Sequence, residues 1–132
     1  MSLKVIVYTP TKIICNTLTE EVVIPTLKAE MSIRPYHKQI MGVLPIGLVR
    51  IKVGNNWKLL ITLGGIAEFI NDKLTLFVRN AEEITSIDLA DVEKKLNQAE
   101  EELKNSKNDQ EKIKASEKLQ RLSALLKATP YI

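Results

Sequence analysis

The thiol and the imidazole, the side chains that reach a nucleophile or a base nearest neutral pH, occur once each in this sequence, as Cys15 and His37, and no motif places a base beside a nucleophile. Acid–base and nucleophilic catalysis need titratable groups that converge. One cysteine and one histidine offer no dyad, no cysteine-based zinc site and no intramolecular disulfide. His37 follows Pro35-Tyr36 in a stretch that also carries Lys28, Arg34 and Lys38, and is read as a turn residue at a binding surface. Residues 28–39 are accordingly expected to be the partner-facing loop of the first part of the chain. Gly64-Gly65 is the only glycine pair. It lacks the glycine spacing and following helix of a phosphate loop, and is read as a bulge or strand bend. No catalytic, metal-binding or cofactor-binding residue is assigned, and the expectation is a protein that is not an enzyme.

The remaining chemistry is charge. A net charge of +3 and a pI near 9.0 raise the question of nucleic acid. Lysine outnumbers arginine 15 to 4 and aromatics make up 5%, too few clamping and stacking groups, so no nucleic-acid partner is expected. Toward the C-terminus the charges separate. Residues 88–105 carry Asp88, Asp91, Glu93, Glu100, Glu101 and Glu102 against three lysines, whereas residues 106–132 carry Lys107, Lys112, Lys114, Lys118, Arg121 and Lys127 against three acids. Such charges solvate exposed faces and pair weakly with each other, at about 0–1 kcal/mol per exposed pair. They also equip the second segment to reach an acidic partner.

Two kinds of element must position these groups. From residue 3 to about 83, apolar residues recur at every second position, the period of half-buried strands. Leu3, Val5 and Val7 alternate with Lys4, Ile6 and Tyr8 until Thr9-Pro10. Val49, Ile51 and Val53 meet Gly54-Asn55-Asn56 and return as Trp57, Leu59, Ile61 and Leu63, one hairpin. Ile66 to Ile70 meets Asn71-Asp72 and returns as Leu74, Leu76 and Val78, a second. Near residue 85 the period changes to that of a helix: Leu89, Val92, Leu96, Ala99 and Leu103 form one stripe, with Asp88 as N-cap. A polar turn at Asn105–Asp109 separates it from the stripe Ala115, Leu119, Leu122 and Leu126, which Pro130 stops. The expected fold is an all-β sandwich, or flattened barrel, over residues 1–84, followed by an antiparallel α-helical hairpin over residues 85–132. No apolar stretch is long enough to span a bilayer. The first residues do not have the pattern of a secretory signal, so residence in the compartment of synthesis is expected, and a lone cysteine suits a reducing one.

Several segments, in order, resemble the epsilon subunit of F-type ATP synthases, in particular its chloroplast and cyanobacterial branch. They are Val7-Tyr8-Thr9-Pro10, Ile24-Pro25-Thr26, Pro35-Tyr36-His37, Gly47-Leu48-Val49-Arg50-Ile51, Gly64-Gly65-Ile66-Ala67-Glu68, Leu74-Thr75-Leu76-Phe77-Val78, Ala81-Glu82 and Ile87-Asp88. The resemblance implies a non-catalytic rotor subunit whose sandwich joins the gamma subunit to the membrane rotor ring, and whose hairpin restrains ATP hydrolysis by extending toward the beta subunits. It implies ring contact through Glu30, Tyr36, His37 and Lys38. It implies beta-subunit contact through Lys112, Lys114, Lys118, Arg121 and Lys127, which the charge division supports independently. The implied location is a chloroplast thylakoid membrane, peripheral on the stromal side, or the cytoplasmic side of a bacterial or cyanobacterial membrane. The implied state is a monomer when free, not inserted in the membrane. Ala29, Ser32 and Arg34 depart from the usual family residues. Some bacterial members bind ATP through Ile-Asp-x-x-Arg-Ala; here Asp91 replaces the arginine, so no ATP or other cofactor is expected. The reading from another class is a free-standing β-sandwich ligand- or peptide-binding module with a helical dimerisation hairpin.

Overall fold

The computed structural model describes residues 1–132. The alternating segment at the start becomes β1 (Leu3–Tyr8), which pairs antiparallel with β2 (Ile13–Thr19). β3 (Val22–Pro25) and β4 (Glu30–Ile33) form a short hairpin around the turn Thr26–Ala29. β5 (Ile40–Val53) and β6 (Asn56–Ile70) are long strands joined at Gly54 and Asn55, and Gly54 takes the positive φ of 63° that this turn requires. β7 (Lys73–Val78) follows the turn Asn71-Asp72, where both residues have positive φ (52° and 56°) as a two-residue hairpin of this kind demands, and β8 (Ala81–Ile84) completes the sheet. The strand order is β2-β1-β7-β6-β5-β3-β4, with β8 also on β6. This is the expected sandwich.

Two layers arise from one continuous sheet because β5 and β6 are shared between them. The first half of β6 pairs with β8 and the second half with β7. On β6 the core takes Leu60 before the glycine pair but Ala67 and Phe69 after it; on β5 it takes Leu44 early but Val49 and Ile51 late. In a strand with a two-residue period, that change of parity exchanges the inner and outer faces. It occurs where Gly64, at φ 90°, lies opposite Pro45 in the register. A Cβ on Gly65 would sit 1.9 Å from the Phe77 carbonyl oxygen, so only glycine allows this approach. The pair is therefore a bend within an unbroken strand. It also explains why Leu59-Leu60-Ile61 is a continuous apolar run: Leu60 faces the sandwich core and its two neighbours face outward, under the helices.

α1 (Leu89–Lys104) and α2 (Asp109–Ala128) form the hairpin, and Thr129–Tyr131 adds one 3₁₀ turn. The Asp88 carboxylate caps α1 by accepting from the Asp91 N–H at 3.2 Å, and the Asn108 side chain caps α2 by accepting from the Glu111 N–H at 2.9 Å. The two expected stripes meet at Val92, Ala99 and Leu122, flanked by Leu96, Leu119 and Leu126. Leu89, at the start of the first stripe, is left exposed. Residues 28–39 are not one loop: β4 interrupts them, leaving a tight turn before it and a second connection, 34–39, after it. The reason is local pairing, since Ile24 and Met31 are partners across the β3–β4 hairpin.

Candidate functional site

The hairpin rests on the outer face of β5 and β6, and α2 rather than α1 makes the contact. Its seam consists of Ala124 and Ala128, both buried, with the partly buried Leu125 between them in sequence, against Leu48, Leu59, Ile61 and Ile84. Alanines allow the helix axis to come close to the sheet but bury little apolar area themselves. α2 thus buries two faces, one toward α1 and one toward the sheet. Beyond the seam, the attachments are polar and exposed. Arg121 pairs with Glu82 of β8, and the Arg79 guanidinium lies 3.5 Å from Glu117. Only one ion pair joins the two helices, Lys118 to Glu102 at 3.6 Å. The opposed charges of the helices therefore do not zip the hairpin shut; one cation and one anion of α2, Arg121 and Glu117, hold it to the sandwich instead.

The end of the chain carries a more specific contact. Arg50, on the outward face of β5, is almost fully shielded, with its side chain 11% exposed. Its guanidinium lies 4.1 Å from the ring centroid of Tyr131 and 5.2 Å from that of Trp57, and it pairs with Glu30 at 2.9 Å. Tyr131 in turn sets its ring at 72° to Trp57, centroids 6.3 Å apart. A cation covered by one aromatic face and paired with a carboxylate stays satisfied despite its burial. Next to this cluster, a cleft of about 500 Å³ runs between the tail and β6, lined in part by Trp57, Lys58, Glu83 and Ile132. The arrangement is a mechanical latch. It has no nucleophile and no cluster of metal-ligating groups. Cys15 lies buried in the sandwich, where desolvation pushes its thiol above the ordinary value.

A family model for the beta-sandwich domain of the ATP synthase delta/epsilon chain matches residues 2–84, and one for the long alpha-helix domain of the same chain matches residues 85–129. The chain belongs to the ATP synthase delta/epsilon family. It is similar to the chloroplastic ATP synthase epsilon chain of Phaeodactylum tricornutum, with 34% identity over 132 residues, 100% of this chain and 99% of that one. It is also similar to the ATP synthase epsilon chain of Prochlorococcus marinus, with 33% identity covering 98% of each. In fold it matches a chain of the Euglena gracilis mitochondrial ATP synthase OSCP/F1/c-ring structure, with a TM-score of 0.83 at 18% identity over 97% of this chain and 81% of that one. As an epsilon-type chain it is a non-catalytic subunit of the synthase. Membership in this family displaces the reading of a free-standing binding module.

In this epsilon-type chain, the residues expected to touch other subunits fall into separate places. Tyr36, His37 and Lys38 lie together in the connection 34–39, at the end of the sandwich that carries the β6–β7 turn. There the Tyr36 N–H donates to Asp72 Oδ1 at 2.7 Å, and the His37 ring stands edge-on to Phe69. Tyr36 holds a positive φ of 66° and is 74% exposed as a residue. Glu30 is not with them. It points to Arg50 and lines a groove against α2, on whose far side lies Lys127. Of the cations of α2, Lys112 and Lys127 make no ion pair, Lys114 and Lys118 border a recess near the helix turn, and Arg121 is engaged by Glu82. The sequence pattern places Arg50 and Trp57 on strands without a functional role, and gives Tyr131 none. The available signal was an arginine, one of only two charged residues on β5, and a single tryptophan across the turn from it.

Proposed function

We propose that this chain is the epsilon subunit of the central stalk of an F-type ATP synthase, joining the gamma subunit to the membrane rotor ring and restraining ATP hydrolysis through a hairpin that can leave the sandwich. Family membership and the epsilon-chain relatives support the stalk assignment, and the central stalk and c-ring named for a Tetrahymena thermophila structure of similar fold agree with it. Its relatives are chloroplastic and bacterial, so the synthase it serves is a plastid or bacterial one, and the stromal face of a thylakoid membrane is the proposed site. In this reading Tyr36, His37 and Lys38 face the ring, Glu30 meets it from its separate position beside Arg50, and Lys112, Lys114, Lys118, Arg121 and Lys127 meet the beta subunits once the hairpin extends.

The observation that carries the gating role is the seam itself. α2 is held to the sandwich by two alanines with Leu125 beside them, exposed ion pairs and one aromatic latch, so it can separate without leaving a charge buried. Attachments of this kind belong to the low-stability end of a structure. The catalytic head reconstituted with residues 86–132 deleted should hydrolyse ATP faster than the head carrying the full chain. Equal rates, with both chains bound, would remove the gating role and leave the stalk role standing.

A further inference from the structure

The cleft of about 500 Å³ beside the latch has one fixed wall and one that leaves with the hairpin. β6 and the end of β8 supply the fixed wall, through Trp57, Lys58 and Glu83; Tyr131 and Ile132 supply the other. A volume of this size admits a small organic molecule. Trp57 is half-buried and Tyr131 is 37% exposed, so their edge-on contact covers neither completely and leaves apolar surface facing the cleft. Residues 87–91, where some bacterial members carry their ATP signature, do not line it.

The charges along the fixed wall are unmatched. Lys58 is two residues from Leu60 and shares its face of β6, and Glu83 is the direct partner of Leu60 on β8. Lys58 and Glu83 are therefore diagonal neighbours, about 7–8 Å apart at the backbone. None of the six ion pairs of the chain includes either of them. The two differ in what they lack. Glu83 is exposed, where water serves a carboxylate well, whereas Lys58 is half-buried. An ammonium drawn partly out of water without a counterion gains from a carboxylate brought to it. A ligand cation finds less here, because Arg50 already occupies the cation position over both aromatic rings and would repel a second one.

We propose that this cleft binds a small carboxylate with an apolar or aromatic body, the carboxylate on Lys58 and the body against Trp57 and Tyr131. Because Tyr131 and Ile132 form one wall, the complete site exists only while the tail is seated, and its ligand holds the hairpin docked. This coupling rests on the proposed release of the hairpin; the binding itself does not.

The test is titration of the full-length chain with phenylbutyrate, followed by Trp57 emission and by calorimetry, beside the alcohol and the amine of the same carbon chain. The carboxylate should bind saturably, one per chain, and about tenfold more tightly than the alcohol, and Lys58→Gln should bring the two together. At ten times its dissociation constant the carboxylate should slow amide exchange at Ala124 and Ala128 about tenfold, because only the docked chain binds it. Circular dichroism verifies folding. Should Lys58→Gln fail to fold, the comparison of head groups on the natural chain decides alone. Absence of saturable binding, or an alcohol or amine that binds as tightly as the carboxylate, would overturn the site. Binding that leaves exchange unchanged would overturn the coupling, and the deletion assay described above, run without ligand, tells why. Faster hydrolysis with the deleted chain would keep the release and take the tail out of the site; equal hydrolysis would remove the release itself.

Discussion

Replacing Tyr131 by alanine should loosen the docked hairpin by an amount that the geometry sets. The substitution removes the ring 4.1 Å from the Arg50 guanidinium and the edge contact with Trp57. Cation–π contacts contribute about 0.5–2 kcal/mol and aromatic pairs about 0.5–1.5 kcal/mol. Tyr131 is 37% exposed, which places both near the low end, for a total of about 1–2 kcal/mol. Arg50 keeps its partner Glu30, so no buried cation is orphaned to inflate the effect. The ratio of docked to released hairpin should fall roughly 5- to 30-fold. Trp57 is the only tryptophan and sits in the latch, so its emission reports the docking directly. The emission of Tyr131→Ala should move toward that of the 86–132 deletion, amide exchange in α2 should accelerate, and Tyr131→Phe, which keeps the ring, should behave like the natural chain. If Tyr131→Ala leaves both readouts unchanged while the deletion shifts the emission, the latch is not what holds the hairpin.

Two further outcomes follow from the sandwich. Gly65→Ala pushes a Cβ to 1.9 Å from a backbone carbonyl that cannot yield, and should cost on the order of 3 kcal/mol or more in a urea titration; an unchanged midpoint would show that the bend tolerates a side chain. The Glu21 carboxyl is held below its ordinary value of 4.5, first by the Ser32 hydroxyl and then by Arg34, so it stabilises the fold above that pH and the contribution is lost as pH falls below it; Glu21→Gln should flatten the acid limb of the stability profile, and a parallel limb would refute the assignment.

The periodicities reached most of the architecture because they report which faces are buried. They give the switch from strands to helices, both hairpin turns, and the Asp88 cap. They could not report the exchange of faces at Gly64-Gly65, since a parity change leaves each half of β6 still alternating. Nor could they tell that Leu59 and Ile61 are covered by a helix rather than by the sandwich core, because both environments select the same residue types. The second buried face of α2 was hidden for a similar reason: Ala124 and Ala128 do not stand out from ordinary helix formers. The candidate contact residues were legible as charges, but not their attachments. That Glu30 answers Arg50 and that Arg121 answers Glu82 depend on strands and helices far apart in sequence.

These attachments bear on how the hairpin would be released. Moving it from almost always docked to almost always free requires a partner that favours the free form by about 5.5 kcal/mol. Lifting α2 bares Leu48, Leu59, Ile61 and Ile84 on the sheet, so the partner must offer α2 apolar cover as well as carboxylates. The polar ties present less of an obstacle. Arg121 and Glu82 are both partly exposed, and each can exchange its counterion for water or a partner's charge with little loss. Arg50 is different, because it stays with Glu30 on the sandwich and loses only its aromatic cover when the tail departs. Release therefore alters the surroundings of Glu30 without breaking its ion pair. With Glu30 among the residues proposed to face the ring, the position of the hairpin is communicated to that contact through a single arginine: Arg50→Ala, which removes Glu30's partner, should disturb both ends of the subunit strongly, and Tyr131→Ala, which strips only the aromatic cover, should disturb the hairpin strongly and the ring contact weakly.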